Sequence, residues 1–171
     1  MRYTVKSATT EDGPFLEALY QNSRWEEVRA WGWDPQQAEA FLRLQWLAKR
    51  QSYAMQYPHA EYRLVTVNDS AAGAYLLNEE PWQIRIVDIA FMQLYRNRGL
   101  GTLLLKALQQ EAKQREADLL LSVQTHNPAR RLYERLGFKE TGCDDAGMYL
   151  SMRWNYESGY QTAKSKEDND E

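Results

Sequence analysis

Cysteine is nearly missing from this chain: Cys143 stands alone among 171 residues, so no intrachain disulfide can form. Histidine is almost as scarce, with His59 and His126 the whole supply. One thiol and two imidazoles, with no ligand spacing between them, give no reason to expect a metal. No apolar run approaches the ~20 residues of a membrane-spanning helix, and the first residues carry no apolar signal core. A cytoplasmic protein with no membrane partner is the expectation. An excess of basic charge is missing too. Of 21 basic and 24 acidic residues, the stretch 155–171 holds two and five, which leaves 19 of each elsewhere. A body so balanced lacks the basic footprint of a nucleic-acid binder, and no nucleic-acid partner is expected.

What is present reads as one domain with room for a substantial core. Residues 1–154 carry the apolar patterning. Residues 155–171 are polar and acidic with little to bury, and read as a disordered tail. Arg2 to Ser7 reads as a strand, and Thr9 to Gly13 as a turn into a helix with Pro14, Phe15, Leu16, Leu19 and Tyr20. The tryptophan-rich segment Trp25 to Trp33 predicts a loop or broken helix. Asp34-Pro35 is a strong helix start, and Pro58 a stop. Tyr62 to Val67 and Ala74 to Leu77 read as strands joined by a turn over Asn68 to Gly73. Gln83 to Phe91 is the next strand. Leu100, Leu103, Leu104, Ala107 and Leu108 mark a helix ending near Arg115. Leu119 to Val123 is apolar enough for a central strand, and strands follow at Phe138 to Thr141 and Met148 to Trp154. The layout is mixed α/β, and its strand-helix-strand crossover demands a parallel pair.

Two segments carry chemistry. In the first, a strand ends at Phe91, and Arg96-Asn97-Arg98-Gly99-Leu100-Gly101-Thr102 opens a helix. Glycines before a helix N-terminus let an anion approach backbone N–H groups, and the helix dipole favours its charge. A plain tight turn flanked by solvated arginines is the competing reading. In the second, Asn127-Pro128 opens a short helix with Ala129, Leu132, Tyr133 and Leu136 at helical spacing, and Gly137 closes it. Tyr133 could equally be a buried aromatic. The loop lacks the third glycine of a dinucleotide fold and the Gly-Lys-Ser/Thr of a P-loop.

Together, in this order and at this separation, the segments resemble the GCN5-related N-acetyltransferase (GNAT) superfamily. The resemblance implies a mixed central sheet whose parallel central strands splay apart, flanked by about four helices. It implies acetyl-CoA as cosubstrate, without a metal. Ile89, Ala90 and Phe91 would pair with the pantetheine amides, and Arg96, Asn97, Arg98, Gly99, Leu100, Gly101 and Thr102 would cradle the pyrophosphate. Asn127 would contact the pantetheine arm. Arg130 would reach the adenosine phosphates or remain a surface charge. Tyr133 aligns with the tyrosine that protonates the departing thiolate. Phe91 stands where the family often has valine, and Met92-Gln93 where it often has x-Pro.

Acetyl transfer to an amine requires removal of a proton, an oxyanion stabiliser and an acid for the leaving thiolate. Cys143 lies outside the motifs, so direct attack in a ternary complex is expected, without an acyl-enzyme. A backbone N–H near Phe91 would stabilise the oxyanion. Tyr133, a phenol with a pKa of about 10, would be the acid. Asp88 is the candidate base, with Glu79, Glu80 or a water chain as rivals. The acceptor is expected to be a small-molecule amine, since Ser122 occupies a position where acetyltransferases of ribosomal-protein N-termini carry glutamate. A peptide amine, or a non-catalytic acyl-CoA sensor, is the alternative. Homodimerisation is compatible with the resemblance. Trp25, Trp31, Trp33 and Trp46, with Tyr53, Tyr57 and Tyr62, either wall the acceptor site or are ordinary core. His59 and His126 are read as structural or solvent-facing.

Overall fold

The computed structural model describes residues 2–157. It is a seven-stranded mixed sheet in the order β1-β2-β3-β4-β5-β7-β6, with four α-helices. The elements are β1 (Thr4–Ser7), α1 (Gly13–Arg29), α2 (Pro35–Gln56), β2 (Glu61–Val67), β3 (Ser70–Glu80), β4 (Gln83–Phe91), α3 (Leu100–Gln114), β5 (Asp118–Gln124), α4 (Ala129–Arg135), β6 (Lys139–Cys143) and β7 (Tyr149–Trp154). The chain divides into two compact units. One comprises Met1–Asn78 with Asp88–Arg98, the other Glu79–Val87 with Gly99–Glu171.

In the first unit, Thr9 and Asp12 close a short turn before α1: the Thr9 N–H donates to Asp12 Oδ2 at 2.8 Å. α1 then runs to Arg29, so the helix continues through Trp25 where a loop or broken helix was expected. The tryptophans did not end it because Val28 is fully buried one turn on, and Arg24 pairs with Glu27 at 2.9 Å along the helix surface. The break falls later, at Gly32, whose φ of 78° is left-handed. Asp34 caps α2 as its sequence announces, accepting from the N–H groups of Gln36 and Gln37 at 2.9 and 3.0 Å. Ala38, Leu42 and Trp46 form its buried face, each less than a twentieth exposed, and pack with Leu16, Leu19 and Tyr20 of α1 and Leu64 of β2. Each large side chain in that set contributes about 1.5–3 kcal/mol of burial.

The β2–β3 turn is tighter than the Asn68–Gly73 expected. Asn68 and Asp69 alone make it, at φ 49° and 61°, the left-handed pair of a two-residue hairpin. Residues 70–73 belong to β3. Gly73 is there because of crowding: a Cβ would meet the Ala90 carbonyl oxygen and Phe91 Cδ1, each at 2.5 Å. β3 thus lies against the end of β4, and the Met92 N–H donates to the Ala72 carbonyl at 2.9 Å.

In the second unit, Ile84 and Ile86 of β4 and Leu119 and Leu121 of β5 are buried. β4 and β5 are parallel, and their register covers only Gln83↔Asp118 to Ile86↔Leu121. β5 also pairs with β7 from Leu119↔Trp154 to Gln124↔Tyr149, which makes it the interior strand its apolar run predicts. α3 buries Leu100, Leu104, Leu105, Leu108 and Ala112. It ends without glycine: Glu116 takes φ 52°, and the Ala117 N–H bonds back to the Ala112 carbonyl at 2.9 Å. Past β7, the Tyr156 N–H donates to Asp118 Oδ1 at 3.1 Å, so the first residues of the expected tail are held. The remainder of that tail, 158–171, lies outside the described residues.

Candidate active site

The second unit contains the start of α3, where the first-turn N–H groups meet a glycine loop. Gly99 precedes α3 at φ 81°, after Asn97 at φ 56°. Among the described residues no side chain caps α3, and its first turn holds no acidic residue. The Leu103 N–H reaches the Gly99 carbonyl at 3.0 Å, whereas the N–H groups of Leu100, Gly101 and Thr102 precede the first intrahelical bond. A helix of fifteen residues with uncapped N–H groups and an open approach at Gly99 fits a phosphate.

The same unit places the second sequence segment. Asn127 Oδ1 accepts from the Ala129 N–H at 2.9 Å, so Asn127 does the capping although α4 itself starts at Ala129. Gly137, at φ 86°, and Phe138 close α4 with N–H bonds to the carbonyls of Glu134 and Tyr133, each at 3.0 Å. The Tyr133 ring is buried edge-to-face on Phe138, with centroids 5.8 Å apart. Arg130 is matched by Glu134 at 2.8 Å and Glu140 at 3.4 Å, which makes it first a surface ion-pair residue. Glu79 pairs with Arg115 at 3.1 Å, and Glu80 accepts from Gln83 at 2.8 Å. His59, in the first unit, and His126, in the second, are both exposed.

In the first unit, Arg96 is turned to a bracing task. Its Nε donates to the Phe91 carbonyl at 2.8 Å, and its Nη2 donates to Asn22 Oδ1 at 3.3 Å. Asn22 Oδ1 also accepts from the Gln93 N–H at 2.8 Å. A single α1 side chain therefore ties down the loop that leaves β4, a role no local sequence signal marked.

Also in the first unit, α1, α2 and the strand ends enclose a cavity of about 120 Å³. Leu16, Leu19, Trp46 and Ala74 supply apolar wall, and Ile89 and Ala90 bring the end of β4 to it. Asp88, Lys49, Tyr20, Ser23 and Tyr62 supply polar groups. Lys49 Nζ lies 3.0 Å from Asp88 Oδ2. The other Asp88 oxygen accepts from the Ile89 N–H at 3.0 Å. The ammonium also sits over the rings of Tyr20 and Tyr53, 5.1 and 5.4 Å from their centroids. The Tyr62 hydroxyl is buried with no hydrogen-bond partner among the described residues. Burial pushes its pKa above the ordinary phenol range; the Asp88 carboxylate adds to that shift and Arg50 opposes it.

The aromatic residues divide. Trp46 and Tyr62 line the cavity, and Trp25 packs on the core. Trp31 and Trp33 form an exposed cluster with Phe41, at centroid distances of 5.2 to 5.6 Å. Asp88 was legible from its strand, whereas Lys49 and Tyr20 were missed. The signal for Lys49 was its place on α2: it continues the inward series Leu42, Trp46, where the period calls for an apolar residue. Among the described residues no cluster of His, Cys, Asp and Glu could hold a metal ion, and no helix is long and apolar enough to cross a membrane.

The model of the acetyltransferase (GNAT) family matches residues 17–138. Among solved structures, the chain is similar to the PaiA N-acetyltransferase of Thermoplasma acidophilum in complex with coenzyme A. The TM-score is 0.66 and the identity 19%, over 91% of this chain and 100% of that one. It is similar to a GNAT family acetyltransferase of Elizabethkingia anophelis with acetyl-CoA bound, at TM-score 0.59 and 18% identity, over 90% and 97% of the two chains. It is also similar to the ribosomal-protein-S18-alanine N-acetyltransferase of Escherichia coli, at TM-score 0.55 and 23% identity, over 89% and 91%. At these identities the likeness is one of fold. No curated protein matches the chain by sequence.

Proposed function

The chain belongs to the acetyltransferase (GNAT) family and is an acyltransferase, and from that premise we propose that it moves an acetyl group from acetyl-CoA to the primary amine of a small molecule. The observation that carries the choice of acceptor is the small cavity at the end of β4, with one carboxylate, Asp88, in its wall. Acetyl-CoA would supply an activated thioester carbonyl. The uncapped N–H groups from Leu100 to Thr102 would hold its pyrophosphate, with Asn97, Arg98 and Gly99 shaping the loop and Arg96 bracing it. The backbone of Ile89, Ala90 and Phe91 would pair with the pantetheine arm, and Asn127 would contact it. Arg130 would have to leave Glu134 and Glu140 to reach a phosphate, which weakens its claim.

Asp88 would receive the acceptor's ammonium and take its proton, directly or through water. One of its oxygens already meets the Lys49 ammonium. Tyr133 would donate a proton to the leaving thiolate sulfur. Attack would be direct, since the single cysteine, Cys143, lies in β6 and outside the motif segments.

Calorimetry with acetyl-CoA, followed by thiol release over a panel of amines and peptides, tests this reading. Binding at micromolar to millimolar ligand and turnover of small amines are expected. Absence of acetyl-CoA binding at millimolar ligand overturns it. Turnover of peptide N-termini alone overturns the acceptor and leaves the cosubstrate. Binding without turnover of any amine reassigns the protein as an acyl-CoA sensor.

A further inference from the structure

The cavity in the first unit is not dressed for a simple amine. An amine arrives as a cation, and a site for cations is walled by carboxylates and aromatic faces. Here the aromatic faces are present, but the one carboxylate is matched by a lysine in the same wall. The formal charge of the pair is zero. A polyamine entering the cavity would set its charges beside the Lys49 ammonium. The Tyr62 hydroxyl adds a second oddity. It is buried, lines the same cavity and has no partner among the described residues. Buried polar groups are normally satisfied, so an unmatched hydroxyl in a cavity wall calls for an explanation, and a ligand atom would supply one.

Lys49 and Tyr62 share a property: each can donate hydrogen bonds to an anion. The ammonium spends one contact on Asp88 and has further N–H donors. The phenol has an O–H with no acceptor among the described residues. Asp88 accepts, and supplies the complementary charge. A ligand that answers all of these groups carries an ammonium and a carboxylate together. Leu16, Leu19 and Trp46 then form wall for an apolar side chain.

We propose that the acceptor is an amino acid, its carboxylate read by Lys49 and the Tyr62 hydroxyl and its amine presented to Asp88. This rests on the acetyltransferase reading and names its substrate class. The free α-amino acid and the N-terminus of a peptide share the amine, but only the free acid has the carboxylate beside it. In this assignment Lys49 and Tyr62 are specificity residues, and they do not act on the reacting atoms. The rival role for Lys49 is structural, a tie between α2 and β4 that never meets a ligand.

The test compares each proteinogenic amino acid with its own amide, and includes spermidine as a polycation. Affinity is read by calorimetry with and without CoA, and kcat/KM by thiol release with acetyl-CoA. At least one apolar amino acid should bind about tenfold or more tighter than its amide, because a charge-assisted hydrogen bond is roughly twice as strong as a neutral one. Lys49→Met should bring acid and amide to equal affinity by weakening the acid and sparing the amide. Lys49→Arg should restore the preference, and Tyr62→Phe should reduce it in part. Equal affinity for acid and amide in the wild type, tighter binding of spermidine than of any acid, or no binding of any acid at millimolar concentration overturns the proposal. So does a Lys49→Met variant that weakens acid and amide alike, the mark of a structural tie. Failure of acetyl-CoA to bind would remove the acetyltransferase reading instead, since the acid-against-amide comparison without CoA is scored separately.

Discussion

Replacing Tyr62 by phenylalanine should make the protein more stable. The substitution deletes one oxygen that is buried and unmatched among the described residues. It keeps the ring that lies tilted on Trp46 at a centroid distance of 6.4 Å. A buried hydroxyl without a partner costs about 1–3 kcal/mol, and the void left by one oxygen takes back part of that. A net gain of about 1 kcal/mol is the working figure, which raises Tm by about 2–4 °C for a chain of this length. The pH dependence adds a second reading. Burial, with Asp88 adding and Arg50 opposing, holds the Tyr62 phenol above its ordinary value of 10.0. The folded state therefore keeps a proton that the unfolded chain releases above that pH. The stability so linked is fully present below the unfolded value and is lost as pH rises through the folded one. Phenylalanine has no such proton, so the Tm advantage of the variant should widen in alkaline buffer. Differential scanning calorimetry at neutral pH and above pH 10.0 decides it. A variant that melts at or below the wild-type temperature, with a gap that does not change with pH, refutes the reasoning.

Gly73→Ala should cost about 1–3 kcal/mol, because its Cβ would lie 2.5 Å from the Ala90 oxygen and from Phe91 Cδ1 and the strand must give. An unchanged midpoint in urea would mean that β4 yields freely. Gly99→Asn should preserve the fold, since asparagine tolerates the left-handed conformation that φ 81° requires. Gly99→Glu should abolish the rise in Tm with acetyl-CoA by setting a negative charge at the start of α3. Retention of that rise by the glutamate variant would move the anion site elsewhere. Tyr133→Phe should lower kcat by about 10²-fold with acetyl-CoA affinity nearly intact. An unchanged kcat under chemistry-limited conditions would remove Tyr133 from the mechanism.

Much of this protein was decided within short stretches of chain. Asp34-Pro35 starts α2 because a carboxylate oxygen and a missing N–H solve the helix-start problem locally. Asn127 and Gly137 bracket α4 by the same local bonding, and Gly99 opens α3 because its left-handed backbone needs no Cβ. A continuous apolar run made β5 an interior strand before any pairing was known. Of these, the Gly99 and Asn127 segments carry the resemblance to the family, whose model spans both. Where propensity and packing disagreed, packing prevailed. Trp25 stays helical because Val28 is buried beyond it, and α3 ends on a glutamate that no local rule selects. The candidate acceptor chemistry is of this second kind. Lys49 of α2, Tyr62 of β2 and Asp88 of β4 are far apart in the chain, and their helical and strand periods say only that each faces inward. That the lysine meets the aspartate, and that the phenol hydroxyl has no hydrogen-bond partner among the described residues, depends on how α2 lies on the strands. Side-chain pairing across elements is a three-dimensional property that short-range periodicity does not encode, so only the tertiary structure could decide it.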